Sequence, residues 1–186
     1  MTFFGKCELC WVSFLGKILG ISFVVRYLRN PNPNIVISLL RSFGANIGEG
    51  TKFKRSLIID NAFEDQCSKG DFQNLRIGKN CYIGDLVYFD LSNVINIGDN
   101  VIVSAEVAIL THSDCNRSKF LSEMFPRFSL PVTIESNVWL CFRVTVLPGK
   151  MIRSNSVIYS NSLVNTEVES KSVYAGIPAK KIRNLD

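Results

Sequence analysis

Residues 134–164 read IESNVWLCFRVTVLPGKMIRSNSVIYSNSLV, and their aliphatic positions Ile134, Leu140, Val146, Ile152, Ile158 and Val164 fall six residues apart. An amphipathic helix would repeat its apolar face every three to four residues, so this period excludes one. It suits a chain in which each six residues supply one short strand and one corner. Shorter runs keep the same step: Ile47, Phe53, Ile59; Ile77, Ile83, Phe89, Ile95; and Ile97, Val103, Ile109. A smaller residue often stands four positions after the aliphatic one, as at Thr51, Val87, Val101, Val107, Val138, Val144, Ser156 and Ser162. Such residues fill a corner, and the glycine of Ile47-Gly48, Ile77-Gly78, Ile83-Gly84 and Ile97-Gly98 is expected to relieve the turn. Three hexads close one coil, and no coil buries its interior alone, so the pattern predicts an all-β parallel β-helix stabilised by stacked coils.

Two stretches break the period. Residues 61–74 (NAFEDQCSKGDFQN) and 113–131 (SDCNRSKFLSEMFPRFSLP) are expected to leave the coil as loops. Loops of this length without structure of their own are usually functional or disordered. The second begins directly after His112, the only histidine.

Upstream of the repeat, Phe4, Cys7, Trp11, Phe14, Ile18, Ile21, Val25 and Leu28 follow steps of three and four, which predicts a helix with these residues on one face. Its other face is also apolar, as expected of a helix buried in protein or lipid. Lys17 interrupts the run, leaving no uncharged stretch long enough to span a bilayer. Packing on its own domain or on a neighbouring subunit is the favoured reading. Lys6, Lys17, Arg26 and Arg29 also suit a helix lying in a membrane interface. Pro31-Asn32-Pro33-Asn34 then breaks the chain, with Asn34 expected to cap a helix over 35–42 that Gly44 ends. The organisation read from sequence is a helical segment over 1–44, a β-helix over 45–174 and a C-terminal tail over 175–186.

Composition narrows the function. The 186 residues, 47% hydrophobic and 20% charged, suffice for one domain. The net charge of +5 is spread along the chain, which gives nucleic-acid binding no support but suits an anionic ligand. Six cysteines in a chain of this size do not resemble a disulfide framework, and no N-terminal cleavage site is evident, so reduced thiols and a cytoplasmic location are expected. Cys7 and Cys10 form a C-x-x-C pair without two further ligands, so their role is read as structural and no metal is expected.

Three motifs carry a resemblance. They are Ile97-Gly98-Asp99-Asn100-Val101 leading to Ile109-Leu110-Thr111-His112-Ser113-Asp114; Val132-Thr133-Ile134-Glu135-Ser136-Asn137-Val138-Trp139 leading to Val146-Leu147-Pro148-Gly149; and Ala175-Gly176-Ile177-Pro178-Ala179-Lys180-Lys181-Ile182-Arg183. With the hexads between them, the chain from Ala45 to Arg183 resembles the hexapeptide-repeat O-acetyltransferases, which act on galactosides, maltose, surface-polysaccharide sugars and xenobiotics. The resemblance implies a left-handed parallel β-helix, a homotrimer with sites between subunits, acetyl-CoA as acyl donor and a loop closing the site. It places the catalytic histidine on His112 and donor contacts on Ser160, Thr166, Lys180 and Arg183. Trp139 matches the family's tryptophan, either as a donor contact or as a bulky residue packed outside the coil.

A neutral hydroxyl attacks a thioester poorly, and an imidazole accepts its proton near neutral pH. Asp90 or Asp114 is expected to orient that imidazole or to bind sugar hydroxyls. Where the family has small residues around the donor, this chain has Leu140-Cys141, Arg153 and Tyr159-Ser160-Asn161, which would narrow the groove. The zinc carbonic anhydrases of the same fold need several histidines per metal and are excluded. The expected reaction is acetyl transfer to a saccharide hydroxyl, as in surface-polysaccharide or lipopolysaccharide synthesis. An antibiotic hydroxyl or an amino-acid alcohol remains an open acceptor. The competing reading is a non-catalytic β-helix serving as a scaffold or a nucleotide-binding module.

Overall fold

The computed structural model describes residues 2–63 and 69–185, so residues 64–68 of the first expected loop and the last residue of the expected tail lie outside it. Three parallel sheets wrap the chain into a prism, a left-handed parallel β-helix. Inward residues stack in register. Ile47, Ile77, Ile97, Ile134 and Ile152 line the first face. Phe53, Ile83, Val103, Leu140, Ile158 and Tyr174 line the second. Ile59, Phe89, Ile109, Val146 and Val164 line the third. All are buried and belong to one continuous apolar core.

One run of the period needs correction. The residue stacked on Ile77 is Ile97, eight rather than six positions after Phe89. Ile95 is buried as well, because the strand Ile95–Ile97 alternates and turns both isoleucines inward. The two extra residues enlarge the corner that holds Asp90.

The turn chemistry also differs from expectation. The left-handed backbone sits three positions after the inward aliphatic residue, at Asn80, Asn100, Asn137, Asn155 and Asn161 among others. Asparagine tolerates this region better than most L residues. The glycines directly after the aliphatic residue serve close approach instead. A Cβ on Gly78 would lie 2.6 Å from the Gly98 carbonyl carbon and 2.3 Å from Asp99 Oδ1 on the next coil.

Three helices cover the N-terminal end of the prism: α1 (Phe3–Leu19), α2 (Ile21–Tyr27) and α3 (Val36–Ser42). The single stripe expected through Leu28 is divided at Gly20, whose φ of +86° ends α1 and redirects the chain. Ile21, Val24, Val25 and Leu28 are therefore buried while Phe4, Trp11, Phe14 and Ile18 are exposed. The buried stripe of α1 is Gly5, Val12 and Gly16; a Cβ on Gly16 would meet Val24 Cγ2 at 2.5 Å and Phe43 Cζ at 2.6 Å. Asn34 does not cap α3. Its N–H is held by the Asn32 side chain at 3.1 Å, and the cap position falls on Ile35 without a side-chain bond.

Two further segments have more order than expected. Inside 113–131, α4 (Lys119–Met124) is capped by Ser118, and His112–Ser113 pairs antiparallel with Phe128–Ser129. At the C-terminus, Ser172–Ala175 and Lys180–Asn184 form an antiparallel hairpin at the edge of the second face. A boundary between 174 and 175 therefore cuts a strand, and the expected tail is part of the sheet.

Candidate active site

The enlarged corner after Phe89 turns the carboxylate of Asp90 into the protein, where it is fully buried. Burial would raise its pKa, but hydrogen bonds outweigh that cost and hold it below the usual aspartate value. Oδ2 accepts from the backbone N–H groups of Thr111 at 2.8 Å and His112 at 2.9 Å. Oδ1 accepts from Asn61 Nδ2 at 2.9 Å and the Ser92 N–H at 3.1 Å. The fifth contact is His112 Nδ1, 2.6 Å from Oδ2.

That contact defines the imidazole. An ionised carboxylate only accepts, so Nδ1 carries the proton and Nε2 of the neutral ring presents a lone pair. The backbone at His112 is fixed by pairing with Ser129, while Thr111 Oγ1 ties the same corner to the Asp90 carbonyl at 2.8 Å. Nε2 lies 3.9 Å from Asp114 Oδ2. Arg127 approaches the same Asp114 oxygen at 4.0 Å and donates to Ser92 Oγ at 3.0 Å. Within the loop itself, a cleft of about 620 Å³ runs from Asp114 and Arg127 along Leu121, Met124, Phe125 and Phe128.

The fold thus brings together His112, Asp90 and Asp114. Thr166 follows Val164 on the corner used by His112, two coils further on and about 10 Å away by strand spacing. The other expected donor contacts lie elsewhere on the prism. Trp139 is on the second face, exposed, with its indole N–H on Ser104 Oγ at 3.1 Å. Ser160 is exposed at the next corner of the last full coil, and Lys180 and Arg183 project from the terminal hairpin. Of the bulky departures, Cys141 is buried, Arg153 is turned to Glu167 at 3.3 Å, and Tyr159 stands on the outer surface. Asn61, Ser92, Thr111, Arg127 and Ser129 were not among the sequence candidates. The two-residue lengthening before Ile97 was the one available signal for the Asp90 corner. Among the described residues, no group of three or more metal-ligating side chains is assembled.

No model of a known protein family matches the chain. A putative acetyltransferase of Staphylococcus aureus is 31% identical over 144 residues, covering 73% of this chain and 72% of that protein. The chain belongs to the hexapeptide-repeat acetyltransferases. Within this family, galactoside O-acetyltransferase of Escherichia coli is 32% identical over 115 residues, 61% of this chain and 55% of that enzyme. The chain spans little more than half the length of several such curated relatives. A galactoside acetyltransferase solved in complex with coenzyme A superposes with a TM-score of 0.74 at 25% identity, covering 96% of this chain and 82% of that one.

Proposed function

We propose that the chain is an acetyl-CoA-dependent O-acetyltransferase that acts on a saccharide hydroxyl in surface-polysaccharide or lipopolysaccharide synthesis, with His112 as general base. The observation that carries this reading is the buried Asp90 carboxylate 2.6 Å from His112 Nδ1, which leaves Nε2 as the proton acceptor at the mouth of the loop. Nε2 takes the proton of the acceptor hydroxyl as that oxygen bonds to the acyl carbon. Asp90 stabilises the resulting imidazolium. When the carbon–sulfur bond breaks, the same proton passes from Nε2 to the departing sulfur, giving an acetyl ester and a free thiol. Asp114 and the cleft beyond it receive the acceptor.

Thr166 shares the corner of His112, whereas Trp139, Ser160, Lys180 and Arg183 lie around the prism. A donor site using both sets needs two copies of the chain, which supports a homotrimer with sites between subunits. Lys180 and Arg183 supply cations for the donor's phosphates. The described free thiols Cys7, Cys10, Cys81, Cys115 and Cys141 suit a cytoplasmic enzyme.

The test is CoA release from acetyl-CoA with a panel of sugar acceptors, comparing wild type with His112→Ala. Loss of the base should lower turnover by roughly 10² to 10⁴, with CoA affinity, melting temperature and the trimer seen by light scattering unchanged. A folded His112→Ala protein that retains turnover refutes the assignment. If CoA and acetyl-CoA leave the melting temperature unmoved, the scaffold reading stands instead.

A further inference from the structure

Among the described residues, nothing covers the outer face of α1. Helical spacing places Phe3, Phe4, Cys7, Trp11, Phe14 and Ile18 in one stripe opposite the buried Gly5, Val12 and Gly16. Phe4 is 84% exposed, Phe3 76%, Ile18 63% and Trp11 62%. These aromatic residues sit on a helix anchored by its small-residue stripe, so their exposure is a property of a fixed surface. Lys6 and Lys17 are exposed along one flank of the stripe, and Arg26 and Arg29, on and after α2, are also exposed. The only acid in the first thirty residues is Glu8. Its carboxylate is engaged on the inner side, accepting from Tyr27 Oη and Asn32 Nδ2, each at 2.6 Å.

We infer that α1 docks the protein on an anionic lipid surface, lying in the plane of the interface with its aromatic stripe among the acyl chains and its lysines at the headgroups. Among the described residues no helix is long and apolar enough to cross a membrane, so the helix lies on the bilayer. An aromatic and aliphatic stripe beside an all-cationic edge is the pattern of interfacial helices. Charge decides between occupants. A second copy presenting the same face would bring lysines and no acid to meet them, and one presenting another face would do so from a chain of net charge +5, whereas an anionic leaflet neutralises each cation.

The test mixes the full chain with phosphatidylcholine vesicles made with and without phosphatidylglycerol and measures co-sedimentation. Binding is expected only with phosphatidylglycerol, weakening with salt. Lys6→Gln and Lys17→Gln should each lower partitioning roughly fivefold. Trp11→Ser combined with Phe14→Ser should lower it about tenfold or more, with melting temperature and oligomeric state unchanged. Failure of wild type to bind either vesicle overturns the inference, as does binding indifferent to the Trp11/Phe14 pair. A change of oligomeric state in that double variant would assign the face to another copy of the chain and also overturn it. None of these readouts depends on acetyl transfer, so the inference stands or falls separately from the proposed activity.

Discussion

Replacing Asp90 by Asn keeps the shape of the side chain beneath the imidazole and removes its charge. The amide has one acceptor oxygen where the carboxylate has two. Oδ2 accepts three donors, the N–H groups of Thr111 and His112 and the ring Nδ1–H, so the amide oxygen is expected there. The NH₂ group then faces the Ser92 N–H and Asn61. The imidazole keeps its tautomer but loses the anion that stabilises its protonated form. Two unit charges about 4 Å apart interact by about 4 kcal/mol at an effective dielectric constant of 20. Lost entirely from the transition state, that is a decrease of about 10³ in turnover. The assay is CoA release at saturating acetyl-CoA and acceptor. Since Asp90 is a positioning residue acting through His112, the double variant Asp90→Asn/His112→Ala should be no slower than His112→Ala alone. A folded Asp90→Asn protein within threefold of wild-type turnover, or a double variant with fully additive losses, would refute the reasoning.

The same carboxylate links stability to pH. Its folded pKa lies below the unfolded value, so it contributes stability above the ordinary carboxylate range near 4 that is lost as pH falls through the folded value. Melting temperatures from pH 6 down to pH 3 should therefore fall more steeply for wild type than for Asp90→Asn. For the coil contacts, Gly78→Ala should destabilise by about 2 kcal/mol or more, because its methyl group meets the Gly98 backbone of the next coil as well as the Asp99 side chain, and the backbone cannot swing away. Denaturant unfolding measures this, and a change below half a kcal/mol would show that the coils separate easily.

The apolar columns were legible in sequence because a prism core repeats its inward residue once per hexad, so hydropathy alone records it. The Asp90 corner was harder to see. Ile77, Ile83, Phe89 and Ile95 keep step, so the restart of the period at Ile97 is a faint trace in sequence, and its pairing with Ile77 is what identifies two added residues. Strand alternation hides the addition, since Ile95 and Ile97 both point inward. His112 and Asp114 stood out by type and by their place at the start of the second loop, Asp90 by its carboxylate alone, and the chain brings these three together. Asn61, Ser92 and Ser129 gave no such signal. They meet across turns of the solenoid, with Asn61 and Asp90 twenty-nine positions apart, and carry no spacing of their own.

The N-terminal helix shows the converse failure of hydropathy. The pattern marked Phe4, Trp11, Phe14 and Ile18 as the face to be buried, yet burial went to Gly5, Val12 and Gly16. Glycine is nearly silent on a hydropathy scale, but it lets α1 approach Val24 and Phe43 more closely than any larger residue would. Close packing on the small face then fixes which side is left outward. The aromatic stripe is a continuous apolar face, as its period indicates, but an exposed one. What the period could not reveal is that the described residues supply no surface for it, because that depends on how Gly20 turns α2 beneath α1.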